Sequence, residues 1–149
     1  MSFLEINNLI QTIRSIIFAV TYTIWARHAA DSGRFAGDAG LVLLGKALFI
    51  YIIAVVVIGV ALHVLAMVVA VAVDKDARPG EMDERDRLIE RRALQHGFAF
   101  IGFGFFFAVI ALWRGYGAVT GFHVMLAGFT LADITGNLSK FVSYLRQRA

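Results

Sequence analysis

The segment LVLLGKALFIYIIAVVVIGVALHVLAMVVAVAV, residues 41–73, is interrupted only by Lys46 and His63. A bilayer core about 30 Å thick is crossed by roughly 20 apolar residues in a helix rising 1.5 Å per residue. The segment exceeds that length, so its embedded part is expected over about 48–71. Lys46 then lies at the entry end, its stem in the apolar layer and its ammonium at the interface. Three further stretches read the same way, over about 9–25, 94–113 and 119–142. The chain of 149 residues is 59% hydrophobic and 17% charged, against about half and a quarter in a soluble domain. A core of this size cannot hide that surplus, whereas a bilayer can.

The expected fold is therefore all-α: one membrane domain over 1–149, an integral membrane four-helix bundle with a short cytoplasmic juxtamembrane helix. A large soluble catalytic domain is excluded. With no cysteine, so are disulfides and thiolate chemistry. The segment over 9–25 is broken by Gln11, Arg14 and Ser15, so a helix lying in the interface competes with a span there. A cleavable signal peptide fits less well, because Glu5 is the only charge before Arg14 and no compact small-residue site follows closely. The segment is kept as part of the mature protein. The third span ends at Trp113-Arg114, an interfacial anchor.

Lysine and arginine set the orientation. Lys75, Arg78, Arg85, Arg87, Arg91, Arg92, Lys140, Arg146 and Arg148 fall on one side, nine in all, and Arg27, Arg34, Lys46 and Arg114 on the other, four in all. The positive-inside bias then expects both termini and the 74–93 loop in the cytoplasm, in a multi-pass protein of a bacterial inner membrane.

Within that loop, Pro79-Gly80 breaks the chain, and the residues from Glu81 to Arg92 read as a helix entering the third span, acidic first and basic last. Glu81 with Arg85, and Asp83 with Arg87, are four-residue pairs worth a few tenths of a kcal/mol each. One reading is a solvated extension. Another is a docking surface for a cytoplasmic protein, with charges such as Arg85 and Arg87 giving specificity and Met82, Leu88 and Ile89 apolar contact. No stretch is purely basic, so no nucleic-acid partner is expected. The run Asp83-Glu-Arg-Asp-Arg-Leu-Ile89 resembles the DERD-x-LI stretch of a family of small bacterial and archaeal membrane proteins of unknown function. That resemblance implies a compact multi-span protein with no assigned reaction, and it carries over no catalytic residue.

Polar groups at bilayer depth are costly, about 2.5 to 3.5 kcal/mol for a central aspartate on insertion scales. On the fourth span His123, Thr130, Asp133, Asn137, Lys140 and Tyr144 share a third of the helix circumference, a seam that must face protein or water. Asp133 is read either as a structural carboxylate, satisfied by Thr130 or Asn137 and matched by Lys140 or Arg14, or as part of an ion, proton or ligand site. Arg14, at comparable depth on the first span, is the candidate partner, although its stem is long enough to snorkel. Gly128, Ala132 and Gly136 make a small-residue series on another face and, with Gly102 on the third span, are the candidate close-packing positions. Self-association through such seams is expected.

His28, His63, His96 and His123 place one histidine near or within each span. Haem held by two facing imidazoles is considered, but the depths match poorly, and a neutral hydrogen-bonded His63 is the commoner explanation. No cofactor or metal is expected. No phosphate loop, zinc signature or nucleophile elbow supports catalysis. The leading expectation is a non-enzymatic membrane sensor or regulatory partner. Its candidate ligand residues are Asp133, Asn137, Thr130, His123, Arg14 and His63, and its output passes through the 81–92 helix. The rivals are a transporter or channel subunit using His123, Asp133 and Asn137, and a haem redox protein.

Overall fold

A computed structural model describes residues 3–73 and 83–146. It contains four helices: α1 (Phe3–Asp31), α2 (Gly37–Val73), α3 (Glu84–Trp113) and α4 (Ala118–Arg146). Each is long and apolar enough to cross a membrane, and no strand occurs among the described residues. The shorter helices, of 29 residues, reach about 43 Å at 1.5 Å per residue, which clears the hydrocarbon thickness with turns to spare. All four helices outrun the expected spans, because charged and polar residues such as Glu5, Arg27, Glu84 and Arg146 continue the backbone ladder beyond the apolar stretch.

The helices form a bundle laid out as a row. α1 packs on α2 and on α4, α4 packs on α1, most extensively on α3 and lightly on α2, and α2 and α3 do not meet. The first helix, the least certain span by sequence, therefore lies between α2 and α4. Its buried face is polar: Glu5, Asn8, Gln11, Thr12 and Ser15 are all enclosed, whereas Ile13, Ile16, Ile17, Val20 and Ile24 point outward. This inverts a soluble protein and is what lipid dictates. Apolar side chains gain nothing by leaving hydrocarbon, whereas polar ones must find partners inside the protein.

The start of α1, the end of α2, the start of α3 and the end of α4 lie at one end of the bundle, called here the basic end, and the two short turns at the other. Both turns contain a residue with left-handed backbone, at Gly33 (φ 68°) and Gly115 (φ 83°), where a side chain would be strained. At the basic end α3 starts at Glu84, not at Glu81. Asp83 caps it, accepting from the Asp86 backbone N–H at 2.7 Å, while the Asp86 carboxylate accepts from the Asp83 N–H at 3.3 Å. The expected Asp83–Arg87 helical pair is thus replaced by a capping box. Glu81, with its expected pair, and Met82 lie outside the described residues.

The small-residue series works within the chain. A Cβ on Gly128 would lie 2.6 Å from the Cα of Gly104, and one on Gly104 would lie 2.7 Å from the Cα of Gly128, so two backbones touch here. Ala132 is buried against Gly97, and Gly136 faces the Ala93 carbonyl. Gly102 is no part of this seam and has open space around it. It lies two residues, about 200° of helix rotation, from Gly104, which does the packing. The seam thus joins α3 to α4 and is not a free surface for a second copy. We expect Gly128→Val to destabilise the protein by about 2 kcal/mol through overpacking, and Gly102→Val to be close to neutral. Reversible unfolding in mixed micelles measures both; equal effects would refute this assignment of the seam.

Candidate functional site

The polar face of α1 meets the polar seam of α4 about halfway along both helices. Arg14 Nη2 donates to Asp133 Oδ2 at 2.7 Å, an ion pair whose side chains are 11% and 40% exposed. The same nitrogen donates to Ser15 Oγ at 3.3 Å. The Ser15 hydroxyl lies between the Gln11 carbonyl, at 2.8 Å, and Asp133 Oδ2. Asn137 Nδ2 donates to Asp133 Oδ1 at 3.0 Å and to the Asp133 carbonyl at 2.9 Å. Of the partners expected for Asp133, Arg14 and Asn137 are present. Lys140 instead pairs with Glu90 of α3 at 3.4 Å, about two turns toward the basic end.

The arginine does not snorkel, because α2 also holds it. Its Nη1 donates to the Val55 carbonyl at 3.4 Å, and a Cβ on Gly59 would overlap that nitrogen. Gln11 Nε2 donates to the Gly59 carbonyl at 3.2 Å. Glycine at 59 thus makes room for a guanidinium and exposes the carbonyl that Gln11 uses. Arg14 Nε is buried and without a partner. Sequence reading missed this α2 contribution; the signal was a glycine within an otherwise β-branched run.

Toward the turn end, α1 and α4 diverge around a cavity of about 670 Å³. Tyr22, Phe35, Tyr51 and His123 form its aromatic wall, and Ala26, Leu126, Ala127 and Ile134 are among its apolar lining. Tyr22 makes ring contacts with Trp25, Tyr51 and His123, at centroid separations of 5.7, 5.3 and 5.8 Å. A second cavity of about 380 Å³ shares Tyr51, Leu126 and Thr130 with the first and reaches Arg14 and Asp133. On the other side of Asp133, between α3 and α4, a third of about 230 Å³ runs past Asn137 to Lys140. Thr130 is thus a cavity residue, and Asp133 separates two cavities. No sequence signal marked the cavity itself, since its walls come from α1, α2, α4 and the first turn.

The remaining candidates are dispersed. His63 is exposed near the basic end, its Nδ1 3.2 Å from Asn7 Oδ1 and its ring edge-on to Phe3. His96 approaches Ser139 at 3.3 Å, and His123 Nδ1 contacts its own helix at the Val119 carbonyl, 2.7 Å away. Each of these histidines engages a different neighbour. Among the described residues no cluster of three or more His, Cys, Asp or Glu is placed to hold a metal. On α3, Arg85, Arg87 and Leu88 are exposed, whereas Ile89 is 6% exposed and faces into the protein. At that end Tyr144 is buried beside Asp86, so the residue that closes the α3 cap also meets α4.

Removing either charge of the central pair should cost about 3 kcal/mol, the lower end for a buried pair, because Asp133 is part-exposed. Arg14→Met and Asp133→Asn together should cost less than the sum of the two; additive losses in micellar unfolding would show that the pair is not coupled. At the basic end, burial first and the Asp86 charge second push the Tyr144 hydroxyl above its ordinary value of 10.0. The fold therefore holds this proton more tightly than the unfolded chain does. That contribution is complete below about pH 10 and is lost as the pH climbs toward the folded value. Stability should fall above about pH 10, and Tyr144→Phe should flatten that decline; an identical decline in the variant would exclude Tyr144 as its source. Comparison with family models, curated proteins and solved structures finds no match for the chain, so the resemblance of the 83–89 run gains no support from them.

Proposed function

We propose that this protein is a non-enzymatic membrane sensor that takes a small ligand into the turn-end cavity and passes the event along α4 to the charged start of α3. One observation carries the reading: α4 is the only helix common to all three places. It lines the cavity with His123 and Thr130, holds the central pair through Asp133, and grips α3 through Lys140 and Tyr144. The nine-to-four bias of basic residues supports a cytoplasmic location for the basic end, in a bacterial inner membrane. There Arg85, Arg87 and Leu88 offer a cytoplasmic partner an exposed charged and apolar face.

A second reading, a conducting path along α4, is favoured by the position of Asp133 between two cavities. The sensor reading is preferred because Asp133 is already engaged by Arg14, Ser15 and Asn137. A carrier carboxylate must exchange partners during each cycle, and this one is held by three.

The chain has no cysteine, so spin labels can be placed at will. Labels at Arg87→Cys and Arg146→Cys report on the α3–α4 junction. Filling the cavity with Ala127→Trp should shift their mean separation, measured by pulsed electron resonance, by about one helical rise or more. An unchanged distance distribution would remove the coupling.

A further inference from the structure

The turn-end cavity is lined by two rings whose polar atoms have complementary requirements. A backbone carbonyl can only accept, so the 2.7 Å contact of His123 Nδ1 with the Val119 carbonyl puts the proton on Nδ1. In the neutral imidazole Nε2 is then a lone-pair acceptor, and it has no partner among the described residues. The ring beside it, with its centroid 5.8 Å away, belongs to Tyr22, whose hydroxyl is buried and also lacks a hydrogen-bond partner. A buried orphan of this kind costs about 1–3 kcal/mol and calls for an explanation. The two atoms do not satisfy each other. Both rings line the same cavity.

We propose that the cavity binds a neutral, single-chain amphiphile through its hydroxyl group, which donates to His123 Nε2 and accepts from Tyr22 Oη. A hydroxyl is the simplest group that supplies both a donor and an acceptor from one oxygen. The Tyr22 hydroxyl is enclosed by protein, so binding requires the phenol to turn toward the cavity that its ring already lines. The chain of the ligand follows α4 from His123 to Ile134, about 16 Å of helix, past Leu126 and Leu131. The volume, about 670 Å³, lies within the range of small-molecule sites. His123 is five residues from the start of α4, about 7 Å in, so the ligand's hydroxyl lies toward the turn end with its chain directed along α4. Arg27, the charged residue on the wall, has no ion-pair partner among the described residues and defines the competing chemistry, an anionic headgroup.

This inference rests on the sensor reading for its consequence but not for its test. Trp25 packs against Tyr22 and Phe35, and with Trp113→Phe it becomes the sole tryptophan. The protein in phosphatidylcholine nanodiscs is titrated with dodecanol brominated beside the hydroxyl carbon, with its methyl ether, and with the matching brominated carboxylate. We expect saturable quenching by the alcohol and at least tenfold weaker binding of the ether, which cannot donate to Nε2. Tyr22→Phe and His123→Leu should each weaken the alcohol at least fivefold, and the comparison of alcohol with ether needs no variant at all. Equal binding of ether and alcohol overturns the proposal, as does alcohol binding indifferent to both variants. So does tighter binding of the carboxylate that is lost in Arg27→Gln. Any of these leaves the spin-label test of α4 coupling standing, and failure of that test leaves the binding result intact.

Discussion

An arginine placed at mid-depth in an apolar helix must either reach the interface or be satisfied where it lies, and here it is satisfied. Arg14 sits on α1, bonds Asp133 on α4 and the Val55 carbonyl on α2, and fits against the space left by Gly59. A side chain with donors to two neighbouring helices fixes its own helix between them. The row α2–α1–α4–α3 follows from this requirement, completed by the glycine contact that binds α3 to the far side of α4. Removing one partner strands a charge at bilayer depth, whereas replacing both by apolar groups of similar volume can be close to neutral.

Much of this was legible in the residues. The four helices follow from the apolar stretches, whereas the encounter of Arg14 with Asp133 was one of two readings that their depths allowed, the other being an arginine that snorkels. Asn137, one turn beyond Asp133, was one of two expected hydrogen-bond partners, with Thr130 the other. The centrality of α1 was not, because Gln11, Arg14 and Ser15 read as defects in a span. Taken with Glu5, Asn8 and Thr12 they recur every three or four residues and form its packing face. Hydrophobicity alone cannot find that face, since lipid accepts apolar residues on every side and only polar spacing reveals the interior.

The glycines illustrate a second reason for incomplete legibility. Gly102 and Gly104 are indistinguishable by composition, yet only Gly104 meets Gly128, because the choice depends on the rotation of α3 about its axis. Rotation is set by what α4 offers, a relation between segments that neither segment encodes alone. The cavity is a stronger case of the same kind. It exists because Tyr22, Tyr51, Phe35 and His123 come from α1, α2, the first turn and α4 and brace one another edge to face. Their convergence depends on the row, and hence on Arg14.

The location of that cavity constrains how any occupancy could be felt elsewhere. No residue of α3 lines it, and α2 contributes only Tyr51. A ligand there pushes on α1 and α4. α1 is held at mid-length by partners on both sides, so its displacement is opposed by the central pair and by the Gln11–Gly59 contact. α4 shares the central pair but meets α3 across a seam of glycine and alanine, where sliding disturbs few interlocking side chains. The polar contacts of α4 with α3 lie toward the basic end, at His96–Ser139, Lys140–Glu90 and Tyr144 beside Asp86. On the proposed sensor reading, α4 is held at its centre by the Arg14–Asp133 pair, and a tilt of its turn end would be felt at the basic end, where Lys140 and Tyr144 have defined neighbours on α3.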